Sequence, residues 1–213
     1  MKASVLVLAG LAAAGSARAQ SVPTPTEPAW RVGLGLTSMS GYYVGTNTAV
    51  DDISWAPTLH ARYAWSPRLA ARSSVAYQRR QVDRDESGPG QRFVKHKVIH
   101  STLVPLLLEV TLNPAAPKFH VGLLGGLTLR YSDINDQETY FYSGTTNTST
   151  QNRVEKRLDT FLGGGLSLRY QATPRWAVVA DGTLGARLGG KTQYYEWLPS
   201  ATLLVGVGYG LGK

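Results

Sequence analysis

Between Phe119 and Tyr131 the chain alternates without interruption. Phe119, Val121, Leu123, Gly125, Leu127, Leu129 and Tyr131 occupy one face of a period-two pattern, and His120, Gly122, Leu124, Gly126, Thr128 and Arg130 the other. Strands of water-soluble proteins usually run about 5–6 residues. A strand crossing a bilayer obliquely needs about 9–11. This segment is of the second kind, and aromatic residues bracket its apolar face.

The same grammar recurs along the chain. A first strand shows Trp30, Val32, Leu34 and Leu36 on one face; a second shows Trp55, Pro57, Leu59, Ala61, Tyr63 and Trp65. The third, Leu69 to Gln78, alternates more weakly, and its faces are assigned by keeping Arg72 inside. The fourth is apolar on both faces between Leu103 and Leu108. Glu109 sets its register, because a carboxylate belongs inside, which turns Val104, Leu106, Leu108 and Val110 outward. The sixth, seventh and eighth repeat the pattern over Leu158–Tyr170, Trp176–Leu188 and Ala201–Leu211.

The connections sort by length in strict alternation. Those around Pro67, Pro114–Pro117 and Pro174 are short, while residues 41–52, 81–94, 132–156 and 189–197 are long and polar, and the ends of 132–156 can continue as strands above the membrane. Transmembrane barrels have this asymmetry, with short periplasmic turns and longer external loops. The expected fold is all-β: an eight-stranded antiparallel up-and-down transmembrane β-barrel over residues 29–213. The aromatic residues agree. Trp30, Trp65, Tyr170, Trp176 and Tyr209 fall near the short-turn ends, and Trp55, Tyr131 and Trp197 near the long-loop ends, as two interface girdles require.

Charge follows the other face. Arg62, Arg72, Arg130, Arg169 and Arg187 point inward with Glu109, Asp159 and Asp181. An arginine at the lipid midplane would cost about 2–4 kcal/mol, whereas inside the barrel guanidinium and carboxylate can pair bidentately. Strand counting puts Arg130, Asp159 and Arg187 at one height near the outer rim, with Arg72 and Glu109 on adjacent strands nearer the periplasm. Both groups are expected to be structural ionic plugs, since an eight-stranded barrel is only wide enough for its side chains to fill. Glycine shares the inward face, as at Gly33, Gly122, Gly163, Gly185 and Gly208, making room for those long side chains.

Composition narrows the setting. The opening MKASVLVLAGLAAAGSARAQ has a charged start, an apolar core and the small-x-small motif Ala17-Arg18-Ala19. Residues 1–19 are therefore expected to be a signal peptide and 20–28 an extended Pro/Thr-rich lead-in. Loss of Lys2 and Arg18 would lower the net charge from +8 to +6. For an exported chain that balance suits anionic head groups rather than nucleic acid. With no cysteine, disulfides and thiolate metal sites are excluded.

Candidate chemistry is sparse. His100, Ser101 and Thr102 place a base beside a nucleophile, but neighbouring residues of a strand face opposite ways, and no outward carboxylate is evident for a triad. The histidines at 60, 96, 100 and 120 lack metal-ligand spacing, and the Asp83, Asp85, Glu86 run reads as solvated. No catalytic, metal or cofactor site is expected. A lipid-modifying acyl hydrolase and a soluble exported ligand-binding barrel remain the alternatives.

The stretch TLVPLLLEVTLNPAAPKFHVGLLGGLTLRY, Thr102 to Tyr131, resembles the central hairpin of PorT-like outer-membrane β-barrels of Gram-negative bacteria. It shares the Pro105-Leu106-Leu107 strand, a short turn, and a strand with Phe119 and a Gly125-Gly126 pair. That resemblance implies an eight-stranded barrel with no catalytic site to carry over. At the C-terminus Gly206, Tyr209 and Leu211 are in phase with an insertion signal, although Gly212-Lys213 overhang it. The expected role is non-enzymatic. It involves outer-membrane lipids and lipopolysaccharide around the barrel, and surface or envelope proteins at loops 41–52, 81–94, 132–156 and 189–197.

Overall fold

The computed structural model describes residues 29–40, 53–88, 91–142, 148–189 and 199–211. The signal peptide and lead-in expected at 1–28, Trp197, and nearly all of the connections at 41–52 and 189–197 lie outside them. Eight antiparallel strands follow one another round a closed ring. They are β1 (Trp30–Ser40), β2 (Ile53–Ala64), β3 (Leu69–Gly88), β4 (Gln91–Thr111), β5 (Phe119–Tyr142), β6 (Thr148–Gln171), β7 (Trp176–Leu188) and β8 (Pro199–Leu211). β8 returns to β1 with Trp30 opposite Leu211 and Met39 opposite Thr202.

Amphipathicity is inside-out. Leu127, Leu166 and Val205 are 39%, 54% and 43% exposed, whereas Arg31 and Glu109 are 2% and 3% exposed. With Phe119 and Tyr131 as its limits, the apolar face of β5 rises roughly 30 Å at ordinary strand rise and barrel tilt. That is the thickness of a bilayer's hydrocarbon core.

The short turns are built by side chains as well as backbone. Ser66 Oγ accepts from the amides of Arg68 and Leu69 at 3.3 and 3.0 Å. Asn113 extends the β4–β5 ladder by one side chain, donating to the Phe119 carbonyl at 2.8 Å and accepting from the Val121 amide at 2.7 Å. Thr173 Oγ1 accepts from the Trp176 amide at 3.0 Å. Such Asn and Ser/Thr contacts hold tight corners without help from the core.

One connection differs from expectation, and a second carries its strands on as its ends allowed. Over 81–94 and 132–156 the ladders continue: β3 and β4 stay paired to Gly88 opposite Gln91, and β5 and β6 to Phe141 opposite Thr148. Outside the membrane both faces meet water, so the contrast that marks a strand disappears while the hydrogen bonds persist. The flanking strands stop earlier. The β2–β3 ladder ends at Thr58 opposite Ala76, immediately after Pro57, and the β6–β7 ladder ends at Thr160 opposite Leu188. Proline has no N–H to give a ladder, so a strand carrying one is readily left at an edge. Strands of 20, 21, 24 and 24 residues (β3 to β6) therefore stand as a four-stranded sheet above neighbours of 11 to 13.

Candidate functional site: interior charge clusters and the protruding sheet

The inner cluster is assembled from strands far apart in sequence. Arg62 on β2 grips Glu109 on β4 with both ends of its fork, Nε to Oε2 at 3.0 Å and Nη2 to Oε1 at 3.2 Å. Arg72 on β3 reaches Glu109 at 3.5 Å, then crosses the lumen to Asp181 on β7 at 2.6 Å. It also donates to Ser167 Oγ at 2.6 Å. Thr111 Oγ1 adds a bond to Glu109 at 3.3 Å. Arg169 is buried at the same end of the barrel. Arg31, not counted in either cluster from the sequence although it shares the inward face of the first strand, joins them. Its Nη2 donates to Gln171 Oε1 at 3.0 Å, across the lumen from β1 to β6.

Glycine makes that arrangement possible at two places. A Cβ on Gly33 would lie 2.4 Å from His60 Nε2, and one on Gly208 would lie 3.0 Å from Arg31 Cδ. The bare backbone of β1 and β8 is the surface on which His60 and Arg31 rest.

The outer cluster centres on Asp159. Arg187 Nη2 and Arg157 Nε each stand 2.7 Å from its Oδ1. Arg130 lies opposite Asp159 in register, and its guanidinium is 5.5 Å from the Phe161 ring centroid, a cation–π distance. Arg157 falls just before the sixth strand expected from Leu158 and is not among the inward charges expected, although it shares the parity of Asp159. Met39, Ala56, Ala76 and Leu103 form a buried apolar cluster in the outer half of the lumen.

The aromatic residues near the short turns gather in groups. Trp30 and Tyr63 rings are 4.7 Å apart, Tyr63 and Trp65 meet edge-on at 5.7 Å, and Trp176 and Tyr209 at 5.0 Å. Tyr170 lies opposite Phe119. Trp55 and Tyr131 are exposed at the other end.

On the protruding sheet, Lys95 bridges Asp136 at 3.0 Å and Glu138 at 2.5 Å, and the Phe93 and Tyr140 rings pack at 4.9 Å beside it. The hydrogen bond from Lys95 holds the Glu138 carboxyl below its ordinary value. Partial burial opposes charge on Lys95, but bonding to Glu138 and Asp136 outweighs it and raises the amine. The acidic run is engaged residue by residue: Asp83 by Gln81 and His96, Asp85 by Arg92, Glu86 by Arg84. Hydrogen bonding by Gln81, then by His96, keeps the Asp83 carboxyl low.

The candidate chemistry around His100 separates. Ser101 faces the lumen, buried, 3.4 Å from Ser132 Oγ. His100 faces outward with the Tyr77 hydroxyl 2.8 Å from its Nδ1. The structure corrects one expectation here. An outward carboxylate does exist, because Asp133 stands directly opposite His100 on β5, in a segment expected to be a loop.

A closed ring of eight long strands, apolar outside and charged within, defines an integral membrane β-barrel. The chain matches the model of the outer membrane protein beta-barrel domain over residues 3–212 and belongs to that family. It is a protein of the outer membrane. Among solved structures it is similar to OprG of Pseudomonas aeruginosa, at 11% identity over 89% of this chain and 100% of that one, with a TM-score of 0.51. It is also similar to the attachment invasion locus protein Ail of Yersinia pestis, at 16% identity over 86% and 99% with a TM-score of 0.45. Neisserial surface protein A follows at 15% over 87% and 99%, with a TM-score of 0.43. At such identities the likeness to OprG concerns the fold alone. No curated protein is matched by the sequence.

Proposed function

We propose that the protein is a non-enzymatic outer-membrane barrel. Its two interior charge clusters serve as structural plugs, and its protruding sheet makes contacts at the cell surface. One observation carries the reading: the additional length of β3 to β6, at 20 to 24 residues against 11 to 13 elsewhere, lies on one side of the ring and beyond the apolar band. Crossing the bilayer does not require it.

The opposed faces of His100 and Ser101 argue against the acyl-hydrolase alternative, since a serine in the lumen cannot meet a lipid outside. The exposed leucines argue against a soluble barrel. Outer-membrane lipids, lipopolysaccharide, and surface or envelope proteins are the proposed partners. The aromatic residues from Trp30 round to Tyr209 are proposed as interface anchors. A PorT-like affiliation within the family rests on the Thr102–Tyr131 hairpin, and export on cleavage after Ala19, for which N-terminal sequencing of the membrane-extracted protein should read Gln20.

The test replaces residues 81–98 and 135–154 by tight turns, in step with the ladder register, and follows two readouts. The trimmed protein should keep its heat-dependent gel shift and outer-membrane fractionation while losing adhesion of whole cells to immobilised envelope or host-surface extracts. Adhesion unchanged by trimming, or acyl release from lipid A that depends on His100, would overturn the reading.

A further inference from the structure

The outer face of the long-strand wall changes character over two rows. The register aligns Tyr77, Thr102, Tyr131 and Leu158 across β3, β4, β5 and β6. Tyr77, Tyr131 and Leu158 are exposed, and with Trp55 they mark where hydrocarbon ends. Two residues further along each strand, roughly 5 Å higher, the next row reads Arg79, His100, Asp133 and Lys156. The row above that, Gln81, Val98, Asn135 and Val154, carries no charge.

Four ionisable side chains thus share one register row on the lipid-facing wall, inclined to the membrane plane by the strand tilt and just beyond the exposed aromatic residues. Arg79 and Lys156 are both exposed and lie three strand spacings apart, about 14 Å. A single phosphate cannot span that distance. A phosphate at each end of a disaccharide head group can. His100 is held toward Arg79 by the Tyr77 hydroxyl, so the β3–β4 end of the row offers an imidazole beside a guanidinium. Asp133 is the one acid in the row and pairs in register with Lys156, leaving the row net positive. The acids of this face lying further out, Asp83 and Asp85, already hold His96 and Arg92.

We propose that Arg79, His100 and Lys156 form a binding row for the phosphates of a bisphosphorylated glycolipid of the outer leaflet. Asp133 moderates its affinity, and Tyr77 and Tyr131 pack against the upper acyl region of the same lipid. The inference rests on the outer-membrane placement argued above and gives the lipid partner a site. Arg79 binds one phosphate with His100 as a second donor, and Lys156 binds the other. The contact is electrostatic and exposed, so it weakens with added salt.

The experiment uses the full-length protein in detergent, titrated with bisphosphoryl lipid A or with the same lipid enzymatically dephosphorylated, and reads retained lipid by native mass spectrometry. The wild type should retain the phosphorylated form about thirtyfold better, as two surface cations would give. Arg79→Gln with Lys156→Gln should bring the ratio close to one, and Asp133→Asn should raise it. All three proteins must show the heat-dependent gel shift of the folded barrel. A wild type that folds and inserts but retains both lipids equally overturns the row and leaves the outer-membrane platform untouched. A ratio unchanged in the double variant overturns it also. Failure to fractionate with the outer membrane would instead remove the reading on which the row depends.

Discussion

β1, β2, β7 and β8 form one half of the ring, and β3 to β6 the other. Within the bilayer the two halves obey the same rule of grease outside and charge or glycine inside. Beyond it they part. Among the described residues the strands of the short half end with their apolar side chains, and the long half goes on as a hydrogen-bonded sheet stabilised by Lys95, Glu138 and the Phe93–Tyr140 pair. The strand is thus one continuous object with two solvents. Hydrophobic pattern reports only the lipid part, while the backbone ladder carries on as long as a partner strand is there.

The largest effect should come from the lumen, where both halves meet. Glu109→Ala leaves Arg62 and Arg72 without the carboxylate between them and should destabilise the barrel by about 3–5 kcal/mol, measured as a lower urea midpoint of the heat-modifiable band. Next, one substitution made twice on the outward face of β6 should separate the two solvents. Leu162→Arg, within the membrane, should cost about 2–4 kcal/mol, and Asn152→Arg, in the sheet, under about 0.5 kcal/mol. Equal costs would erase the distinction between the membrane part of the long strands and the sheet beyond it.

The smallest effect is a pH dependence confined to the sheet. Glu138 has a carboxyl below its ordinary value, so its contribution is full above that ordinary value and is lost as pH falls through the folded one. Lys95, raised, contributes below its ordinary value and loses the contribution only at strongly alkaline pH. Hydrogen-exchange protection of residues 93–98 and 136–140, corrected for intrinsic rate, should therefore hold from about pH 5 upward through neutrality and fall below about pH 4. Lys95→Met should abolish that acid transition and leave the membrane segments unchanged.

Much of this was legible in the residues. Alternation from Trp30 to Leu36 and from Phe119 to Tyr131 marks strands, and Glu109 orients a fourth strand that is apolar on both faces. Arg62 and Asp181 fall inside by parity, and Arg72 by the rule that keeps a charge out of lipid. The sheet was legible only in part, as strand ends running on into 132–156. In Gln81–Phe93 and Ser132–Lys156 polar residues occupy both faces, so no period stands out, and the position of Asp133 beside His100 went with it. Which carboxylate each arginine takes also depends on the ring's curvature, which brings Arg72 across to Asp181 and leaves Arg130 over Phe161. Parity has no access to that.

The cross-lumen bond of Arg72 has a bearing on assembly. Its guanidinium arrives with the third strand, but Asp181 arrives only with the seventh. A curled sheet lacking the last strands would hold Arg72 over Glu109 alone, facing an open trough. Bringing Asp181 across to that cation needs the seventh strand in a curved, closed ring, so this part of the barrel's stability is gained only with closure.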